Sequence, residues 1–270
     1  MNNKKIVGMT LISVLTLIIV VSLIFAININ FDKKEEETFN SDSSNLTDKE
    51  ITSLISLIDI YDNYLITFDG DKEIDSLSNL DKINFIDRLD FNTKKELNLD
   101  FDTGVSLKKV EEVLKKYFGK DTSFSPVNST CYLEDGDYLI YDPNTKMYKA
   151  NNNYHAHGAY TPPSIINYYV EGKRLVDNDK LVYTITLKKA FAWPNTSNYY
   201  GTYTDLLNGT SLVVDLYDKY GEYDQNDISK LLEAYKDSFA SYTYVFETKD
   251  SINNSYLTEL KKQKTLTTIG

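Results

Sequence analysis

The sequence predicts an α+β fold in which the helices come first and the strands follow. Between about Thr47 and Lys120, apolar residues recur with the 3.6-residue period of helices behind recognisable N-caps; from about Phe124 the period falls to two, as in strands. The turns between successive alternating runs are short, which favours a mostly antiparallel sheet, because a parallel crossover needs about a dozen residues or more.

One element precedes that fold. Ile6 to Ile27 carries no charge, and as a helix it would be about 33 Å long, enough to cross a bilayer core of about 30 Å. An N-terminal transmembrane helix is expected here. Lys4 and Lys5 form a short basic head, but the apolar run exceeds the roughly 7 to 15 residues of a cleavable signal core, and a cut after Ala26 would put Ile24 where a small residue is needed. Residues 1–30 are therefore expected to stay attached as a signal-anchor. Lys33 and Lys34 balance the two head lysines, so the orientation rests on the shortness of the head, which leaves the bulk of the chain extracytoplasmic.

Residues 31–46 are charged, then rich in Ser and Asn, and read as a flexible stalk. In the helical region, 47–120, Thr47-Asp48-Lys49-Glu50 makes a capping box ahead of Ile51, Leu54, Ile55, Ile58, Tyr61 and Leu65 on one face. Ser78 and Asp81 repeat the box before Ile83, Ile86 and Leu89. A third helix starts near Ser106, with Leu107, Val110, Leu114, Tyr117 and Phe118 on its apolar side and Gly119 placed to end it.

Region 121–265 is expected to hold the antiparallel sheet and to pack with the helices. Tyr138 to Tyr141 and Lys146 to Ala150 flank the turn sequence Asp142-Pro143-Asn144-Thr145 and predict a hairpin. Leu181, Tyr183, Ile185 and Leu187 alternate with Val182, Thr184, Thr186 and Lys188, as in a strand with one buried face. Ile165 to Glu171, Leu212 to Tyr217, Tyr242 to Thr248 and Tyr256 to Lys262 read as further strands. One late helix is expected from Asp227 through Phe239, and 266–270 form a tail.

Composition narrows the function classes. With 29 Lys and Arg against 40 Asp and Glu the net charge is -11, which excludes a nucleic-acid partner that would need phosphate neutralisation. Arg88 and Arg174 are the sole guanidinium groups, so bidentate anion clamps are scarce. The single cysteine, Cys131, rules out a disulfide scaffold within the chain.

The order of single span, charged stalk, helices ending in Tyr117-Phe118-Gly119-Lys120-Asp121, and a closing Tyr242-Thr243-Tyr244-Val245-Phe246 strand resembles uncharacterised single-span, membrane-anchored surface proteins of low-GC Gram-positive bacteria. The resemblance lies in layout and composition over most of the chain, and it implies a location at the cell membrane; the group has no assigned activity to carry onto any residue.

Residues that could carry chemistry are few. His155 and His157 stand two apart and would point the same way in an extended segment, so they are candidate ligands for one metal ion; a zinc or copper site needs at least one more ligand. The surrounding asparagines, Gly158, Pro162 and Pro163 read as a solvated loop instead. Cys131 could serve as a nucleophile only beside a histidine that lowers its pKa, and its place before strands favours a buried structural thiol. Asp69, Asp71, Glu73 and Asp75 alternate like the start of a calcium loop, but Ile74 and Leu80 occupy the positions of its glycine and closing glutamate. Glu222, Asp224 and Asp227 have no ligand spacing. Tyr168, Tyr169, Trp193, Tyr199, Tyr200 and Tyr203 could face a sugar or protein partner, though packing on the sheet is the expectation.

The sequence therefore predicts a non-enzymatic binding or assembly module of the cell envelope, with no cofactor and a cell-envelope protein or glycan as partner. The alternative is an anchored hydrolase or metal-dependent enzyme using His155, His157 and Cys131.

Overall fold

The long helices lie before the change of period and the long strands after it, and the two halves share a core. The computed structural model describes residues 43–68, 71–130, 138–151, 163–177, 180–194, 196–217 and 232–263, all within one compact unit, Asp42–Gly270. The Ile6 to Ile27 segment, the stalk up to residue 42 and the 266–270 tail lie outside the described residues. Among the described residues no helix is long and apolar enough to cross a membrane.

The chain enters through β1 (Ser43–Asn45), which pairs antiparallel with Leu175 to Lys173 of a later strand. These three residues were expected to end the stalk. Their polar side chains stay exposed while their backbone is held by an edge, which composition cannot reveal. Helix α1 (Asp48–Leu65) then starts at the expected box: the Glu50 carboxylate accepts the Thr47 N–H at 2.8 Å, and the Thr47 hydroxyl accepts the Glu50 N–H. Leu54, Ile58, Tyr61 and Leu65 are fully buried.

After β2 (Lys72–Glu73), α2 (Asn79–Arg88) starts at the Ser78–Asp81 box, and α3 (Phe91–Glu96), capped by Asp90, adds a short helix the periodicity did not indicate. β3 (Val105–Ser106) leads into α4 (Leu107–Phe118), whose Ser106 hydroxyl accepts the Lys109 N–H. Gly119 ends it at φ +89°, in a region that only glycine adopts freely.

The strands β4 (Leu139–Asp142) and β5 (Met147–Ala150) form the expected hairpin, and β3 adds to the β5 side. The larger sheet is built on a long hairpin of β6 (Ser164–Asp177) and β7 (Lys180–Ala192), continued by β10 (Ser241–Thr248), β11 (Tyr256–Gln263) and β2. All these pairings are antiparallel. At the far end of β7, β8 (Asn198–Tyr200) pairs Phe191 and carries β9 (Leu212–Asp215), with helix α5 (Tyr203–Asn208) between them. Neither β8 nor α5 was expected; at three and six residues they are too short to show a period. Of the late helix, Leu232 to Tyr235 are helical and lead into a 3-10 turn at Lys236–Ser238, and its first part lies outside the described residues.

The helices cover one face of the sheet. Tyr61 of α1 lies 5.7 Å from Phe85 of α2 and 5.8 Å from Phe246 of β10, and Phe85 lies 4.7 Å from Phe118 of α4. Each such ring taken from water contributes about 1.5–3 kcal/mol. A second cluster on the opposite face joins Ala190, Tyr199, Val214, Leu232 and Phe239.

Candidate functional site

The inward positions of β7 read Tyr183, Ile185, Leu187, then Lys189, then Phe191, and every one is buried. Lys189 continues an apolar row and is 0% exposed, so its ammonium is carried to the interior by the strand's own alternation. An isolated charge there would cost many kcal/mol, and α1 supplies the answer. Asp62, one turn past Ile58 on the buried face of that helix and 3% exposed, places Oδ2 2.6 Å from Lys189 Nζ.

Three further groups close the cluster. Tyr244 of β10 donates its hydroxyl hydrogen to Asp62 Oδ1 at 2.6 Å. Asn167 of β6 stands directly opposite Lys189 in the antiparallel ladder, and its Oδ1 accepts from Lys189 Nζ at 2.5 Å. The Asn167 Nδ2 in turn donates to Asp59 Oδ1 at 3.2 Å, and Asp59 sits three residues before Asp62 on α1. The rings of Tyr242 and Tyr244 lie 5.8 and 5.2 Å from the ammonium.

The cluster is sealed at one end and open at the other. Lys189, Asp62 and Tyr244 are buried, Asn167 is half-buried, and Asp59 reaches solvent. Partial burial of its carboxyl, reinforced by the charge of Asp62 and opposed by that of Lys189, pushes Asp59 up to about 6. Burial, with the adjoining Asp62 charge, also pushes the Tyr244 phenol up, which keeps it a donor. Chemically, the cluster presents an amine, a carboxamide and two carboxylates walled by aromatic rings.

A second feature is open. The outer part of the β4–β5 hairpin and the Thr103 turn enclose a groove of about 430 Å³ lined by Thr103, Ile140, Asp142, Thr145, Met147 and Lys149. Gly104, at φ +114°, brings its backbone close enough to β5 that an added Cβ would lie 3.1 Å from the ends of both Met147 and Lys149. The groove thus offers hydroxyls, one cation and one carboxylate beside the apolar side chains of Ile140 and Met147.

Cys131, His155 and His157 lie outside the described residues. The stems that lead to them are neighbours: Ser129 exchanges backbone bonds with Tyr138 and Leu139, and the Asn151 N–H donates to the Tyr138 carbonyl at 2.8 Å. Among the described residues no group of three His, Cys, Asp or Glu side chains could hold a metal. The acidic alternation before residue 76 has a structural account, since Glu73 lies in β2 beside β11 and Asp71 accepts the Lys262 N–H at 2.8 Å. Asp69, Glu222, Asp224 and Asp227 lie outside the described residues. Of the six aromatics, Tyr199, Tyr200 and Tyr203 are buried and Tyr168, Tyr169 and Trp193 pack half-buried against the cores, so these rings are packing residues.

Sequence reasoning passed over Lys189, Asp62, Asn167 and Asp59. A signal was present: a lysine two residues after Leu187 in an inward row, and an aspartate four after Ile58 on an apolar helix face. No family model, curated protein or solved structure matches the chain.

Proposed function

We propose that this chain is a binding or assembly module of the cell envelope, held at the membrane by an Ile6 to Ile27 transmembrane helix with its bulk extracytoplasmic. The open groove on the small sheet carries the binding half of the reading. Its mixture of hydroxyls, Lys149 and Asp142 with Ile140 and Met147 suits a polar, multivalent ligand such as a glycan or a peptide of an envelope protein. The Lys189 cluster does not compete with it, because Nζ is closed to a diffusing substrate.

Two measurements on intact cells test the parts separately. A photo-crosslinking residue at Ile140 should capture an envelope protein or glycan, while the same residue at Leu175, remote on β6, should not; equal capture at both sinks the groove. Added protease should release the folded domain from the cell while leaving a membrane-embedded remnant; a free product beginning near Ile27, or complete protection, sinks the anchor.

The neighbouring stems at Ser129, Tyr138 and Asn151 favour a second reading, an anchored hydrolase or metal-dependent enzyme using His155, His157 and Cys131. One equivalent of zinc or copper in the purified protein, removed by His155→Ala with His157→Ala, or rapid modification of Cys131 at neutral pH, would select it over the binding module.

A further inference from the structure

Lys189 and Asn167 meet in an arrangement that goes beyond an ion pair. Nζ touches the carboxamide oxygen at 2.5 Å, from directly opposite positions on adjacent strands, so the Asn167 Cγ is one bond further on. Each reacting group has its own carboxylate: Asp62 on the amine, Asp59 on the carboxamide nitrogen. We infer that Lys189 and Asn167 join through an intramolecular isopeptide bond, Nζ to Cγ, with release of ammonia.

The step balances with groups already in place. The Lys189 ammonium gives a proton to the Asp62 carboxylate, and the freed Nζ lone pair adds to Asn167 Cγ. Asp59 in its acid form gives a proton to Nδ2, the Cγ–Nδ2 bond breaks, and ammonia leaves. The new amide nitrogen returns its surplus proton to Asp59, and the proton on Asp62 departs with ammonia as ammonium. No oxidant, metal or cofactor is consumed.

Several features favour this course. Asp59 is held near 6, so at neutral pH a working fraction carries the proton it must donate. Tyr244 engages Asp62 Oδ1 and so leaves Oδ2 on the amine. Two groups fixed this way react as if at effective concentrations of about 10⁵ M or more. Asn167 and Asp59 lie toward solvent, which gives ammonia a way out while Lys189 stays shielded from water. Asp62 is the other acyl group within reach of Nζ, but as a carboxylate it is a poor electrophile and would have to expel water.

Mass spectrometry of the full chain tests the inference. The intact protein should be lighter than its sequence by one ammonia, and digestion should yield a branched peptide joining the Asn167 segment of β6 to the Lys189 segment of β7. Lys189→Arg, Asn167→Ala and Asp62→Asn should each restore the full mass and remove the branch. Because the first measurement uses the unaltered protein, poor folding of a variant does not shield the idea. Linear peptides over both strands after prolonged incubation overturn it, as does a loss of water placed at Asp62. A loss of ammonia without a branch, as from a succinimide at Asn208-Gly209, overturns it equally.

Discussion

Tyr61 donates its hydroxyl hydrogen to the backbone carbonyl of Tyr117 at 2.5 Å, tying the C-terminal part of α1 to the end of α4. The same oxygen accepts the Leu257 N–H of β11 at 3.2 Å, so one buried phenol satisfies two backbone groups on different elements. Tyr61→Phe keeps the ring and strands both groups. It should cost about 1–3 kcal/mol for the unmet pair, read as a lower urea midpoint at unchanged slope. An unchanged midpoint would show that another partner takes over.

Gly119→Ala should destabilise for two reasons. Its φ of +89° disfavours any side chain, and an added Cβ would lie 2.8 Å from the Tyr256 ring. That ring cannot swing aside freely, because its hydroxyl donates to Glu247 at 3.0 Å. A loss of about 1–3 kcal/mol is expected, and thermal unfolding of the variant checks it; wild-type stability would mean that the helix end relaxes.

Asp87 sets a pH dependence of unusual sign. Burial pushes its carboxyl from 3.8 up to about 6 against the pull of Lys94 and Arg88. Between those values the native state binds more protons than the unfolded chain, so this group's contribution to stability falls as pH rises, then levels off above about 6. Asp87→Asn should remove that slope and stabilise the protein at neutral pH by up to about 3 kcal/mol. Denaturant titrations across pH 4 to 7 decide the matter, and a variant less stable at neutral pH contradicts it.

Glu50 behaves in the ordinary direction. Burial raises its carboxyl, but hydrogen bonds from the Thr47 backbone and hydroxyl, together with the Arg174 charge, outweigh it and hold the group below 4.5. Its contribution is therefore present above that value and is lost as pH falls through the lowered one. Thr47→Ala should cost about 1 kcal/mol at neutral pH, with the loss shrinking in acid. Equal losses at both pH values would separate the cap from the charge.

The long, well-capped elements were legible because each carries its own signal. The Thr47–Glu50 and Ser78–Asp81 boxes mark helix starts at both positions, and the alternation from Leu181 to Lys188 is β7. What escaped depends on partners distant in the chain. Ser43–Asn45 is a strand because β6 offers an edge, and nothing within those three residues says so. Lys189 and Asp62 lie 127 positions apart; each looks like an ordinary polar residue until the sheet and α1 are packed together. The groove depends likewise on the Gly104 backbone meeting β5.

The bulge in β6, where the register shifts between Tyr169 and Glu171, settles which way the rest of the strand looks. Before it, odd-numbered residues face α1, and Asn167 reaches Asp59; after it, even-numbered residues do, and Arg174 reaches Glu50 at 3.2 Å. Val170 works as a frameshift in three dimensions. With Val170 drawn back into line and no bulge, strict alternation would turn Asn167 and Arg174, an odd number of residues apart, to opposite faces, and the helix could then keep its grip at one end of β6 or at the other, but never at both.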